Sequence, residues 1–376
     1  MPGLLPDVDP DGLLEYSVVF TDRSLNQMSQ KFQRVMRDLS GVLKEVYGAK
    51  SVALVPGGGT FGMEAVARQF VTGKKALVLR NGWFSFRWSQ IFEMGSIPSE
   101  EIVLKARPVA AGRQAAFAPA PINEVIDAIQ THRPGVVCAP HVETASGMIL
   151  PDDYLKAVAD AVHAVGGLFV LDCVASGAMW VDMQATGVDV LISAPQKGWS
   201  GSPGCAFVML GERARAAIDG TTSTSFAADL KKWLQIMETY EGGSHAYHAT
   251  LPTDAITRTC AQMLETRAAG FEALRAKQAE LGSKVRALLE ARGFKSVAAD
   301  GFKAPGVVVS YTDDDGLHSA KAFVAQGLQT AAGVPLRCDE PADFKTFRVG
   351  LFGLDKLANV DRTVASLQAA LDRIQG

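Results

Sequence analysis

The order of apolar and polar positions predicts alternating helices and strands from residue 27 to residue 210. Apolar residues recur at helical spacing between Gln27 and Tyr47. Short runs that are apolar on both faces then alternate with amphipathic stretches such as 151–165; the runs are 51–55, 76–80, 101–104, 135–139, 167–173, 188–193 and 205–210. This pattern is typical of a mainly parallel sheet whose two faces are covered by helices.

The pattern changes in the last third of the chain. Residues 255–294 carry a long helical pattern that ends near Gly293. The elements predicted after it are a strand at 307–311, a helix near 318–331, a strand at 347–352 and a closing helix from 355 to about 374. We therefore predict three parts, which are an arm at 1–20, a large α/β domain at 21–254 and a smaller C-terminal α+β domain at 255–376.

Composition narrows the classes of function. A chain of 376 residues with 48% hydrophobic content can bury one large core and a smaller one. A net charge of -3 gives no field that would gather nucleic acid or an anionic membrane. No signal peptide and no membrane-spanning run is recognisable. The five cysteines have no metal-ligand spacing, so we expect buried thiols in a cytoplasmic protein that acts on small molecules.

A glycine-rich loop follows the first predicted strand. Residues 56–62 read PGGGTFG and open an apolar-periodic helix. Glycines let backbone N–H groups approach an anion, and the start of a helix adds partial positive charge for a phosphate. Tight strand-to-helix turns are also glycine-rich for structural reasons alone, and the loop lacks the Walker lysine and the dinucleotide fingerprint.

Two charged residues lie at the ends of other predicted strands. Asp172 ends an apolar run, where a carboxylate needs a cation or several donors; the alternative is that it caps the next turn. Lys197 lies in a turn rich in Gly, Pro and Ser between two buried runs, which makes it a candidate for a lowered pKa and for imine formation. With the glycine loop, these are the parts that a pyridoxal phosphate site needs.

Seven short sequence motifs extend this interpretation over about residues 20–376. They are GGGTFGMEA at 57–65, NGWFSFR at 81–87, HVETASG at 141–147, LDCVAS at 171–176, SAPQKGWSGSPG at 193–204, YHATLP at 247–252 and RVGLFG at 348–353. In these motifs, and in their order along the chain, the protein resembles the class V aminotransferases of the alanine–glyoxylate and serine–glyoxylate branch. The resemblance implies the PLP-dependent transferase fold type I, with a mainly parallel, seven-stranded type of sheet in the large domain.

The resemblance also implies roles for single residues. Lys197 would carry the cofactor and Asp172 would face its pyridinium nitrogen. Further cofactor contacts would come from the phosphate-binding Gly58, Gly59 and Thr60, from Phe84 and Val174 on the two ring faces, from Thr144 at the phenolic oxygen and from Gln196 beside the lysine. Tyr247 and Thr250 match phosphate contacts that a neighbouring subunit supplies, which implies a homodimer.

Arg348 matches the arginine that receives the substrate carboxylate, for which its forked guanidinium is suited; the alternative is an ion pair between domains. The implied activity is a ping-pong transfer from a small L-amino acid, of alanine or serine type, to glyoxylate or pyruvate. The chain departs from the family's usual opening at Leu5-Pro6-Asp7 and at Asp22-Arg23-Ser24.

Two rival functions remain open on the sequence. A cysteine desulfurase or related lyase shares the class V fold and uses a mobile cysteine, and Cys338 lies ten residues before Arg348. Desulfurases place a histidine before the lysine, however, where this chain has Gln196. A non-enzymatic binding protein on the same scaffold would be expected to lack a core residue, yet Lys197, Asp172 and Arg348 are all present.

Overall fold

A seven-stranded sheet forms the centre of the first 210 residues in the computed structural model, which describes residues 9 and 12–375. From edge to edge its strands are Ser51–Gly57, Gly204–Leu210, Val190–Ser193, Leu168–Asp172, Val136–Pro140, Lys75–Arg80 and Glu100–Lys105. The last five run parallel, and Gly204–Leu210 is antiparallel to both of its neighbours. Each apolar run predicted to be a strand is one, and the mainly parallel sheet is confirmed.

Helices cover both faces of this sheet, as the amphipathic stretches predicted. The first, Gln30–Tyr47, begins where Ser29 accepts a hydrogen bond from the backbone of Phe32 and ends at Gly48, which is left-handed with φ 63°. The other helical segments of this part are Gly59–Val66, Ala67–Val71 in π form, Trp83–Gly95, Ile122–His132, Asp152–Ala164, Met183–Thr186, Glu212–Ile218 and Leu230–Glu241. Two short hairpins pair Arg107–Pro108 with Phe117–Ala118 and Val142–Glu143 with Met148–Ile149.

A second, three-stranded antiparallel sheet lies in the C-terminal part. Its order is Val307–Tyr311, Thr346–Gly350 and Ala331–Ala332. The helices around it are Thr253–Ala269, Phe271–Ala291, Asp315–His318, Lys321–Ala325, Leu354–Ala358 and Val360–Gln375. The two sheets fall on either side of the predicted boundary near residue 254, and the boundary itself stays a prediction.

Three predictions for the C-terminal part were wrong in extent. The closing helix predicted from 355 to about 374 is two helices, Leu354–Ala358 and Val360–Gln375. The helical pattern of 255–294 is two helices, because Gly270 adopts φ 87° and ends the first of them. The helix predicted near 318–331 is reduced to Lys321–Ala325, since Ala331 and Ala332 pair with the strand Thr346–Gly350 instead.

Apolar side chains from both parts pack together between the two sheets. One buried cluster combines Val142, Ala145 and Met148 with Val307 and Val309. This packing brings the strand Thr346–Gly350 close to the carboxyl edge of the large sheet.

The N-terminal arm has neither helix nor strand from residue 12 to residue 20, and Leu13, Tyr16 and Val18 are exposed there. The atypical Leu5-Pro6-Asp7 lies outside the described residues. No helix within the described range is both long and apolar enough to cross a membrane. The five cysteines are buried and unpaired, as predicted.

Candidate functional site

A cavity of about 190 Å³ opens at the carboxyl edge of the parallel strands. Loops that follow neighbouring parallel strands meet at this edge, so residues far apart in sequence converge there. Eight of the predicted site residues line the cavity, namely Gly59, Thr60, Phe84, Thr144, Asp172, Val174, Gln196 and Lys197. A larger cleft of about 490 Å³ lies between the arm and the first helix, but none of the predicted site residues lines it.

Lys197 is partly buried in a loop that the backbone holds in place. Backbone bonds join Gly201 N to Pro195 O at 2.9 Å and Ser200 N to Lys197 O at 3.1 Å. Burial lowers the pKa of the Lys197 amine, the charge of Arg348 lowers it further, and Asp172 acts in the opposite direction. A lowered pKa leaves more of the amine neutral near pH 7, and the neutral amine is the nucleophile.

Asp172 ends the strand Leu168–Asp172, and its Oδ1 accepts a hydrogen bond from Val174 N at 2.9 Å. That hydrogen bond is the one expected of an aspartate that caps a turn. Among the described residues, no hydrogen bond to the other carboxylate oxygen, Oδ2, is present. Burial raises the pKa of Asp172 to about 6. A carboxyl group in this setting is stabilised in its charged form when a cation binds beside it.

The glycine loop is shaped for close approach. The helix Gly59–Val66 begins at the cavity with Gly58 as its N-cap, although Gly58 is not among the lining residues. A Cβ on Gly59 would lie 2.6 Å from Cγ2 of Val174, so this position accepts only glycine without displacement of the valine. The first backbone N–H groups of a helix have no partner within it, which suits them to an anion.

Phe84 lies in the first turn of the helix Trp83–Gly95, and Glu143 fixes this turn. The Glu143 carboxylate is fully buried and accepts hydrogen bonds from Phe84 N at 3.3 Å, Ser85 N at 2.8 Å and Ala145 N at 3.0 Å. Burial raises the pKa of Glu143, and these hydrogen bonds oppose the rise. The carboxylate therefore joins the helix that carries Phe84 to the loop that carries Thr144.

Glu143 and Arg87 also belong to the candidate site, although neither was predicted from the sequence. Arg87 lines the cavity, and its Nη1 donates to Thr60 Oγ1 at 2.9 Å. Helical spacing could have revealed it, because Arg87 follows Phe84 by three residues and so shares its face of the helix. Glu143 precedes Thr144 directly, but its partners on the distant helix left no signal in the sequence.

Arg348 projects from the strand Thr346–Gly350 beside the cavity. Its Nε donates to Ala332 O at 2.7 Å, and its Cζ lies 5.6 Å from the ring centroid of Phe84. No carboxylate forms an ion pair with Arg348 in the described part of the chain, so the interdomain ion pair considered above is not observed. The two terminal nitrogens of the guanidinium remain available to a ligand.

Tyr247 and Thr250 are exposed and do not line the cavity of their own chain. Their hydroxyl oxygens lie 3.4 Å apart. Their predicted role as contacts to a neighbouring subunit stays a prediction.

Cys338 is buried in a fixed segment. Its Sγ donates to Arg80 O at 3.2 Å, and burial raises the pKa of the thiol to about 12. Glu340 accepts hydrogen bonds from Leu336 N, Arg337 N and Cys338 N, which holds the segment in one conformation. A protonated thiol in a fixed segment lacks the mobility and thiolate character that a desulfurase requires.

His141 is also a structural residue in this geometry. Its Nδ1 pairs with Ser176 Oγ at 2.7 Å, and burial lowers the pKa of the imidazole to about 3. The ring is therefore neutral near pH 7, as expected of a structural histidine.

The residues of the cavity fit pyridoxal phosphate. Lys197 offers an amine, Asp172 offers a carboxyl oxygen without a recorded partner, and Phe84 and Val174 offer apolar contacts for a ring. At the glycine loop, the first backbone N–H groups of the helix Gly59–Val66 are available to a phosphate. All of these groups line one cavity, which is the arrangement that the cofactor requires.

Comparisons with known proteins agree with this geometry. The family described as Aminotransferase class-V matches residues 13–321. A 2-aminoethylphosphonate–pyruvate transaminase of Paraburkholderia xenovorans is 28% identical, with 94% of this chain and 90% of that protein covered. An L-aspartate–glyoxylate aminotransferase of Paracoccus denitrificans is 28% identical over 73% of this chain and 67% of its own length. The solved alanine–glyoxylate aminotransferase of Nostoc superposes with a TM-score of 0.77 at 21% identity, covering 92% of this chain and 87% of that one.

Proposed function

Because the chain belongs to the class V aminotransferases, which are pyridoxal phosphate enzymes, we propose that it transfers the amino group of a small L-amino acid to a 2-oxo acid. The donor is of alanine or serine type, and the acceptor is glyoxylate or pyruvate. The observation that supports this most directly is the guanidinium of Arg348, which lacks an ion-pair partner among the described residues and lies beside the cavity of Lys197 and Asp172. A guanidinium can bind a carboxylate through two parallel hydrogen bonds.

Each residue has a separate task in this proposal. When bound, pyridoxal phosphate supplies a ring that accepts electrons from the substrate's α carbon. Lys197 would hold the cofactor through its amine and would move the proton of that carbon. Asp172 would hold a proton on the ring nitrogen, and Arg348 would orient the substrate through its carboxylate.

The names of the relatives support the choice of acceptor. Glyoxylate and pyruvate recur as acceptors in the names of the relatives, whereas the donors differ among 2-aminoethylphosphonate, aspartate and alanine.

A donor–acceptor panel with the purified holoenzyme tests the proposal. The donors are L-alanine, L-serine, L-aspartate and 2-aminoethylphosphonate, each with glyoxylate and with pyruvate. We expect alanine or serine to give the highest kcat/KM. Preferred turnover of 2-aminoethylphosphonate, which has no α-carboxylate, would overturn the proposed donor class.

Replacement of Arg348 by lysine should lower kcat/KM by about 100-fold or more for both the donor and the acceptor. Lysine cannot reproduce two parallel hydrogen bonds to a carboxylate, and each bond to a charged group contributes about 1.5–3 kcal/mol. The absorbance of the bound cofactor should stay unchanged. Arg337→Lys is the matched control, because Arg337 is exposed and packs on Trp83 rather than on Phe84. Weakening of only one half-reaction would contradict the shared carboxylate site.

We also propose a homodimer in which the loop that carries Tyr247 and Thr250 reaches the cavity of the neighbouring subunit. Exposed apolar side chains near the loop and the cavity support an interface; they are Phe61, Phe226 and Tyr247. Light scattering should report a dimer. Mixing inactive Lys197→Ala chains with Tyr247→Ala chains should restore activity, because one site of each hybrid then has both residues. If Tyr247 served its own chain, mixing would restore none.

We further propose that the protein acts in the cytoplasm. Its five cysteines are unpaired thiols, which are typical of a reducing compartment.

A further inference from the structure

Arg87 lies where the glycine loop, the ring of Phe84 and the cavity meet. It follows Phe84 by one turn of the helix Trp83–Gly95. Its Nη1 donates to Thr60 Oγ1 at 2.9 Å, and its Cζ lies 5.2 Å from the ring centroid of Phe84. The side chain is therefore oriented toward the loop that begins the helix Gly59–Val66.

The charge of this loop alone does not match a phosphate. A phosphate monoester carries about -1.5 to -2 charges at pH 7, whereas the start of a helix contributes only about +0.5. Among the residues that line the cavity, the cations are Arg87 and Lys197. The amine of Lys197 is committed to covalent attachment of the cofactor, so Arg87 is the cation that remains.

No Asp or Glu oxygen forms an ion pair with Arg87 in the described part of the chain. Its hydrogen-bond partner is the neutral hydroxyl of Thr60, and the carboxylate of Asp172, which also lines the cavity, interacts with it only at longer range. A guanidinium has five N–H donors, so Arg87 can keep its bond to Thr60 and donate to a phosphate oxygen at the same time.

We propose that Arg87 is the cation that binds the phosphate of pyridoxal phosphate in the cradle of Gly58, Gly59 and Thr60. The alternative is that Arg87 only supports the ring of Phe84 through a cation–π contact. The two roles differ in what they recognise, since one depends on the phosphate and the other on the pyridine ring. The proposal rests on the proposed cofactor site and does not depend on the identity of donor or acceptor.

Titration of the cofactor-free protein with pyridoxal phosphate and with pyridoxal, which lacks the phosphate, separates these roles. Arg87→Met should weaken binding of pyridoxal phosphate by about 10- to 100-fold, as expected for loss of a charge-assisted bond. Binding of pyridoxal should change by less than about two-fold. Arg87→Lys keeps the charge and should fall between the wild type and Arg87→Met. Absorbance of the bound ligand reports each affinity.

Arg68→Met is the matched control. Arg68 also donates to a threonine hydroxyl, Thr224 Oγ1 at 3.2 Å, but it pairs with Glu64 and does not line the cavity. It should leave both affinities unchanged.

Inorganic phosphate gives a second readout that requires neither cofactor nor activity. It should raise the melting temperature of the cofactor-free wild type above that in sodium chloride of equal ionic strength, and should raise that of Arg87→Met less. Equal loss of affinity for pyridoxal phosphate and pyridoxal in Arg87→Met would overturn the proposal in favour of ring support. Unchanged affinity for both would overturn it as well. If the wild type itself bound pyridoxal as tightly as pyridoxal phosphate, the cradle and the proposal would both fall, whereas the donor–acceptor panel would be decided separately.

Discussion

Replacement of Lys197 by alanine should lower the rate of transamination by about 10⁴-fold or more, because one side chain supplies both covalent attachment and proton transfer. The other cation of the cavity, Arg87, carries a guanidinium and cannot supply the neutral amine. The fold should be retained, since Lys197 takes no part in any ion pair of the described structure and is only partly buried. Circular dichroism and single-turnover absorbance with an amino substrate measure these two outcomes.

Covalent labelling makes the assignment of Lys197 specific. Borohydride treatment of the wild-type holoenzyme should fix the cofactor to the peptide that contains Lys197, whereas the Lys197→Ala protein should carry no fixed cofactor. Lys156→Ala is the control, because Lys156 is exposed and pairs only with Asp160 on its own helix. Normal turnover in Lys197→Ala, or a label on another lysine, would refute the assignment.

The large sheet and the core of the site could be predicted because both leave a local signal. Strands buried on two faces are continuous apolar runs, and 167–173 and 188–193 end at polar residues or loops. Once the sheet is parallel, the carboxyl ends of its strands must meet, so Asp172 and Lys197 had to converge.

The remaining features depend on contacts that are distant in sequence. Ala331 and Ala332 pair with the strand Thr346–Gly350. The local sequence pattern predicts a helix there and contains no sign of this distant partner. The break at Gly270 was ambiguous, because an apolar pattern continues through both helices. Tyr247 and Thr250 depend on a second chain, so one sequence and one chain leave their role a prediction.

Asp172→Asn should slow loss of the substrate's α proton by about 10²–10³-fold, a loss typical for removal of one preorganised charged or hydrogen-bonding partner. Asparagine keeps the shape of the side chain but cannot hold the ring nitrogen in its protonated form. Exchange of the α proton with deuterated water, followed by NMR, measures this step without the second half-reaction. The proposed phosphate site at the glycine loop does not include Asp172. The affinity for the cofactor should therefore change less than the rate of α-proton loss.

The same substitution should stabilise the protein when the cofactor is absent. Burial raises the pKa of Asp172 from 3.8 to about 6, so the folded chain binds this proton more tightly than the unfolded chain. The stability gained from that proton is fully present below pH 3.8 and is lost as the pH rises through about 6. Asparagine has no charge to desolvate, so at pH 8 the variant should gain up to about 3 kcal/mol in the free energy of unfolding. At pH 5 the gain should fall to about half, and urea titrations at the two pH values measure it.

Asp189→Asn separates the electrostatics of the cofactor site from burial in general. Asp189 directly precedes the strand Val190–Ser193 of the same sheet, and burial also raises its pKa, but its Oδ2 is paired with Phe169 N at 2.7 Å and with His163 Nε2 at 2.8 Å. Asparagine keeps one carbonyl oxygen as an acceptor but loses the charge that faces Arg213, and this replacement should leave proton exchange unchanged. Asp172→Asn should slow proton exchange and stabilise the cofactor-free protein. Destabilisation of the cofactor-free protein together with a wild-type exchange rate would instead show that Asp172 merely caps the turn at Val174. A buried carboxylate that is positioned for a cation lowers stability until that cation binds, so its removal should stabilise the cofactor-free protein.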